Sequence, residues 1–214
     1  FLFSISAVIA LLALIVATAT VITTSSAISD QVQEQKSNTA DRLVNILTIT
    51  DAIMLERVKS SMSLLKLRAD ALGVPNQGDY VSVKNTQARQ VRLGSAPQAN
   101  SFDLVDSLTE VMGGTATIFS KTGDDYIRIS TNVIKNGERA IGTKLAPNGK
   151  AIKKINQQQA YYGAVDILGS PYLTGYEPMF NDAGEVIGIW YVGYSADLQV
   201  LEQAIKQSHV LKEG

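Results

Sequence analysis

The first 29 residues constrain this chain more than any other stretch. From Phe1 to Ser29 there is no charged side chain, and Ile5 to Ile22 is built from Ile, Leu, Val and Ala with a few Ser and Thr. A run of about 20 such residues matches the thickness of a bilayer core, and nothing in it is costly to place in lipid. A cleaved signal peptide would carry an apolar core of only about 7–15 residues before a small-residue site. Ser25-Ser26-Ala27 imitates such a site, but the stretch before it is too long. Residues 1–29 are therefore expected to form an uncleaved transmembrane helix, with the remainder presented outside the cytoplasm.

Composition turns polar at Asp30, yet a helical period persists. Leu43, Leu47, Thr50, Met54, Val58, Met62, Leu65, Ala69 and Leu72 recur at steps of three and four, which places them on one stripe of a helix. Asp51, Glu56, Arg57, Lys59, Lys66, Arg68 and Asp70 fall between them, and Gly73 followed by Pro75 is a stop signal. Residues 30–73 are expected as one long extracytoplasmic signalling helix. Such a helix either pairs with its copy in a homodimer or lies against its own domain, and the stripe alone does not choose.

Residues 74–195 read as a separate folded domain. Tyr80–Val83 and Gln90–Leu93 are short β-prone pieces in a stretch rich in Asn, Gln, Gly and Ser. Phe102–Met112 reads as a short helix, with Ser101 as its N-cap and Gly113-Gly114 as its stop. Thr115–Ser120 and Tyr126–Thr131 flank the turn Lys121-Thr122-Gly123-Asp124-Asp125, which is a hairpin by composition. A helix is expected at Asn148–Gln158. Two further hairpins follow: Tyr161–Leu168 with Tyr172–Phe180, then Val186–Tyr194 after the turn Asn181-Asp182-Ala183-Gly184. Five strands with one inserted helix describe an α+β antiparallel sheet with helices packed on it. Helical periodicity returns over residues 196–211.

Several chemistries are excluded. With 19 basic and 20 acidic residues and no basic run, the chain has no footprint for nucleic acid. Cysteine is absent, so disulfides, thiolate metal sites and cysteine nucleophiles are too. The single histidine, His209, lies in the C-terminal helical stretch, away from any strand end where a catalytic triad would need it. Asp124-Asp125 with Asp103 or Asp106 suggests a metal site, but turn acids ordinarily bond their own backbone amides. No catalytic residue, metal or cofactor is expected.

The succession GGTATIF, DDYIRISTN, RAIGT, YYG and GSPYLTGYEPMFNDAGEVIGIWYVGYS resembles the Cache sensor domains, in particular the Cache-three/Cache-two fusion type of bacterial methyl-accepting chemotaxis receptors. The resemblance runs from about Asp30 to the C-terminus, and Gly113–Ser195 is its specific part. It implies a PAS-like sheet behind a long N-terminal helix, with a small-molecule ligand bound on the outer side of a bacterial cell membrane. Organic acids, amino acids and amines are the ligand classes it implies, and a cytoplasmic module is the output. It also implies a strand-rich continuation and a second span after residues 196–214, so the chain reads as part of a longer receptor. A histidine kinase or diguanylate cyclase output, or docking of a periplasmic binding protein on the sheet, are the alternatives.

Alternation puts Tyr126, Arg128 and Ser130 on one face of a strand, with Ile127 and Ile129 on the other. A guanidinium in such a strand is expensive to bury unless something pairs with it, and a ligand carboxylate would do so bidentately. An internal salt bridge to Asp125, Asp166 or Glu177, or a solvated face, would serve equally. Tyr172, Thr174 and Tyr176 share a face by the same rule, and Tyr162 is placed on the neighbouring strand. Tyrosines of this kind make apolar walls with a hydroxyl at the tip. Arg128, Tyr126, Ser130, Tyr162, Tyr172, Thr174 and Tyr176 are the expected ligand site, for a ligand carrying a carboxylate.

Overall fold

The computed structural model describes residues 2–167 and 169–196, with the side chains of residues 2–34 and 37 outside that description. The expected membrane span therefore lies outside the described side chains, and the helix expected at 196–211 lies almost wholly outside the described residues. Among the described residues no helix is long and apolar enough to cross a membrane.

Helix α1 covers Leu2–Leu72, and the chain divides into two units, Phe1–Thr50 and Asp51–Gly214. In the first unit the hydroxyls of Thr39, Thr48 and Thr50 donate back to carbonyls one turn earlier, so these polar residues are satisfied without leaving the helix. Val44, Ile46, Leu47 and Ile49 are exposed there.

The second unit begins with the last turns of α1, where the expected stripe meets its partners. Val58, Met62, Leu65 and Ala69 are buried and Met54 packs beside them. The backbone amide of Gly73 closes the helix on Ala69 and Asp70. A hairpin of β1 (Pro75–Val83) and β2 (Thr86–Leu93), with the short β3 (Ala96–Pro97), forms a small sheet. Only the C-terminal halves of β1 and β2, Tyr80–Val83 and Gln90–Leu93, were legible as β-prone. Helix α2 (Asp103–Met112) follows, but its N-cap is Phe102, without a side-chain cap bond. Ser101 is not the cap because it lies one residue outside the helix; its carbonyl accepts from the Ser130 hydroxyl.

The main sheet comprises β4 (Thr115–Thr122), β5 (Asp125–Thr131), β8 (Tyr161–Ile167), β9 (Ser170–Phe180) and β10 (Val186–Ser195), in the order β5-β4-β10-β9-β8. All pairs are antiparallel. Numbered by their own order in the chain, the strands run second, first, fifth, fourth, third, so the first and last are central neighbours. This is the PAS-like α+β sheet behind a long helix that the sequence implied. Between β5 and β8 lie a two-residue hairpin, β6 (Ile134–Lys135) with β7 (Glu138–Arg139), and helix α3 (Lys150–Ile155), shorter than expected.

Alternate residues of these strands form two cores. Ile118, Ile127, Trp190, Val192 and Tyr194 face α1 and α2, whereas Phe119, Tyr126, Ile189, Tyr191 and Tyr176 face the segment carrying α3. Both parities of β10 are buried, which is why its alternation could not say which side was core. Gly175 is required on the α1 side, because a Cβ there would stand 2.6 Å from the Tyr162 ring and 3.0 Å from Val58.

Candidate functional site

Arg128 lies on β5, on the face turned away from α1, with 5 % of its surface exposed. Its register partner is Phe119, and the guanidinium carbon sits 5.0 Å from that ring's centroid. The strand is not left as an open edge. Residues 142–145 bond along it, with Arg128 N–H donating to the Thr143 carbonyl at 2.9 Å and Leu145 N–H to that of Tyr126 at 2.9 Å. Thr143 thereby comes over the guanidinium, and Nη1 donates to its hydroxyl at 2.7 Å. That hydroxyl in turn donates to the Ala140 carbonyl.

Among the described residues no acid pairs with this charge. Of the three acids that could have paired with Arg128, Asp125 is bound to Lys144 at 2.6 Å and Glu177 to Lys66 at 2.7 Å. The Asp166 carboxylate accepts from the Gly169 amide of its own turn. Nε of Arg128 is buried with no hydrogen-bond partner among the described residues. Burial holds the Arg128 pKa below its ordinary value, opposed by the neighbouring Tyr191 and Tyr176 hydroxyls, yet an arginine stays protonated in a protein. A buried cation without a counter-ion among the described residues costs several kcal/mol even after relaxation.

The guanidinium borders a cavity of about 600 Å³, roofed by residues 143–151 and walled by Tyr176 and by Ala164–Ile167 of β8. Behind Tyr176 lies a tyrosine cluster. The Tyr176 and Tyr191 ring centroids are 4.9 Å apart, and those of Tyr161 and Tyr176 are 6.3 Å apart. Burial pushes the Tyr191 hydroxyl up to about 12, and that of Tyr176 further; both are neutral donors at physiological pH.

The seven expected site residues separate. Arg128 and Tyr176 line the cavity. Tyr172 belongs to the same packed cluster. Thr174 shares their face by alternation, with its hydroxyl spent on the Gly163 carbonyl at 2.8 Å. Tyr126 shares the face of Arg128 but lines a different groove, with Gln77, Arg89 and Lys121. Ser130 and Tyr162 are corrections. Ile118 and Phe119 are adjacent and lie on opposite faces, yet their partners are Ser130 and Arg128, so Ile129 is an extra residue and β5 bulges there. A bulge cancels the alternation, and Ser130 turns to the helix side. Tyr162 packs over Gly175 against α1 and donates to Glu177; its neighbour Tyr161 takes the cavity face. Thr143, Leu145 and Ala151 were missed, because loop residues carry no period to betray their partners.

The site thus lies between one face of a five-stranded PAS-like sheet and a covering segment. The model of the Cache 3/Cache 2 fusion domain matches residues 22–214, and the chain belongs to that family. Cache domains are small-molecule-binding sensor modules of membrane receptors. No curated protein matches the chain. Among solved structures it is similar to the sensor domain of DcuS from E. coli, at 15% identity and a TM-score of 0.36, over 48% of this chain and 70% of that one.

Proposed function

We propose that this chain is the ligand-sensing region of a membrane-anchored bacterial receptor of the methyl-accepting chemotaxis type, and that it binds a small carboxylate through Arg128. The observation that carries the ligand reading is the buried, unpaired guanidinium at the wall of a cavity. A carboxylate in the cavity, beside the part of Arg128 that lines it, would supply the missing charge. The chemotaxis output follows from the sequence resemblance to that receptor type.

The route of the signal has a structural basis in β9. Tyr176 faces the cavity, and the next residue, Glu177, faces α1, where it holds Lys66 and accepts from Tyr162. A ligand that displaces Tyr176 therefore moves the anchor of α1, and the response requires different affinities for the two positions.

Melting of the purified chain with and without a panel of carboxylates tests the reading. A ligand at about 100 times its Kd adds about 2.7 kcal/mol, which raises Tm by roughly 5–10 °C for a chain of this size. Arg128→Met should abolish that rise while leaving the protein folded. A rise that persists in Arg128→Met would sink the assignment, and no response to any metabolite would favour docking of a binding protein.

A further inference from the structure

We propose that the cavity selects a monocarboxylate with an apolar body of aryl or branched-alkyl size, in preference to amino acids and to di- or tricarboxylates. This rests on the carboxylate reading above and adds the chemistry of the rest of the ligand.

Charge is arranged unevenly around the cavity. Four charged side chains line it, Arg128, Lys144, Lys150 and Asp166, and only Arg128 is buried. One carboxylate thus finds a desolvated, preorganised partner, and desolvation is what makes such a contact strong. A second carboxylate does not. Lys144 is already held by Asp125 at 2.6 Å, Lys150 stands in solvent, and the Thr143 hydroxyl is occupied by Arg128 and by the Ala140 carbonyl. An ammonium group fares worse. Asp166 is the sole acid among the lining residues. It alternates with Val165 and Ile167, which pack into the core on the cavity side, and its carboxylate caps its own turn. An amino acid would lose water from its ammonium and gain no anionic partner.

Most of the remaining lining is hydrocarbon: Leu145, Ala151, Val165, Ile167 and the ring of Tyr176. A cavity of about 600 Å³ is several times larger than a one- or two-carbon acid fills, and unfilled apolar space forfeits contact on every wall. An aryl or branched-alkyl body covers those walls while its carboxylate reaches Arg128.

The full chain, purified in detergent, is melted with phenylacetate, 4-methylpentanoate, succinate, citrate and phenylalanine, for wild type, Arg128→Met and Arg128→Lys. Phenylacetate and 4-methylpentanoate should each raise Tm by about 5 °C at saturation. Succinate, citrate and phenylalanine should need at least roughly tenfold higher concentrations for the same rise, because each buries an unpaired charge. The rise should vanish in Arg128→Met and be reduced in Arg128→Lys, which keeps the charge and loses the fork. Should succinate, citrate or phenylalanine win with Arg128 still required, the apolar-body inference falls and the carboxylate reading stands. Should no acid act, or Arg128 prove irrelevant, both fall.

Discussion

The two faces of the five-stranded sheet are made from alternate residues of the same strands, yet they are finished differently. Toward α1 the packing is closed and its polar groups are paired. Ser61 and Tyr194 share a hydrogen bond of 2.6 Å, Tyr194 also donates to the Met112 carbonyl at 2.9 Å, and Arg57 reaches the same carbonyl at 2.8 Å. Glu177 takes both Lys66 and Tyr162. Toward α3 the core is interrupted by a cavity, and a buried guanidinium keeps one nitrogen unsatisfied. One face is closed and paired, and the other carries a buried cation with an unsatisfied nitrogen. Defects of this kind are expected where function is.

That contrast can be broken by substitution. Leu65, fully buried under α1, should show the largest effect: Leu65→Ala is expected to cost about 3 kcal/mol, read as a fall in Tm of roughly 6–12 °C. Next comes Tyr194→Phe, which leaves the buried Ser61 hydroxyl without its partner while the Met112 carbonyl keeps Arg57, at about 1–3 kcal/mol by chemical denaturation. Tyr162→Phe removes a single bond to Glu177 and should cost about 1 kcal/mol. If β9 links cavity and helix, this variant still binds ligand with a wild-type Tm rise but transmits poorly in a receptor assay; normal transmission would dissociate the link from Tyr162. The smallest effect belongs to the most buried charge. Arg128→Met should change unliganded stability by about 1 kcal/mol or less, or even raise it, since no ion pair is broken. A loss as large as that of Leu65→Ala would mean that Arg128 is structural, and the contrast between the faces would collapse.

Much of the fold was legible because its signals are local. The stripe from Met54 to Ala69 specified the buried side of α1, and turn residues such as Gly123 and Asn181-Asp182-Ala183-Gly184 bounded the hairpins. The site was legible only in part. Arg128 stood out as a guanidinium among β-branched residues, and Tyr176 followed from alternation within β9. Tyr162 was placed in the site where Tyr161 takes the face, because either tyrosine satisfies the alternation and only the pairing of β8 with β9 sets which one meets Gly175.

By itself, the sequence determined that Leu43–Leu72 would carry one apolar stripe of a helix, that a hairpin-linked antiparallel sheet would follow, and that a cation would stand in its second strand. These follow from periods of 3.6 and 2 and from turn chemistry, which act over a few residues. The tertiary structure decided where that cation looks, that Ser130 does not look with it, and that residues 143–151 close a cavity above it. A bulge at Ile129 and a loop laid along β5 depend on partners distant in the chain, and no local period records them.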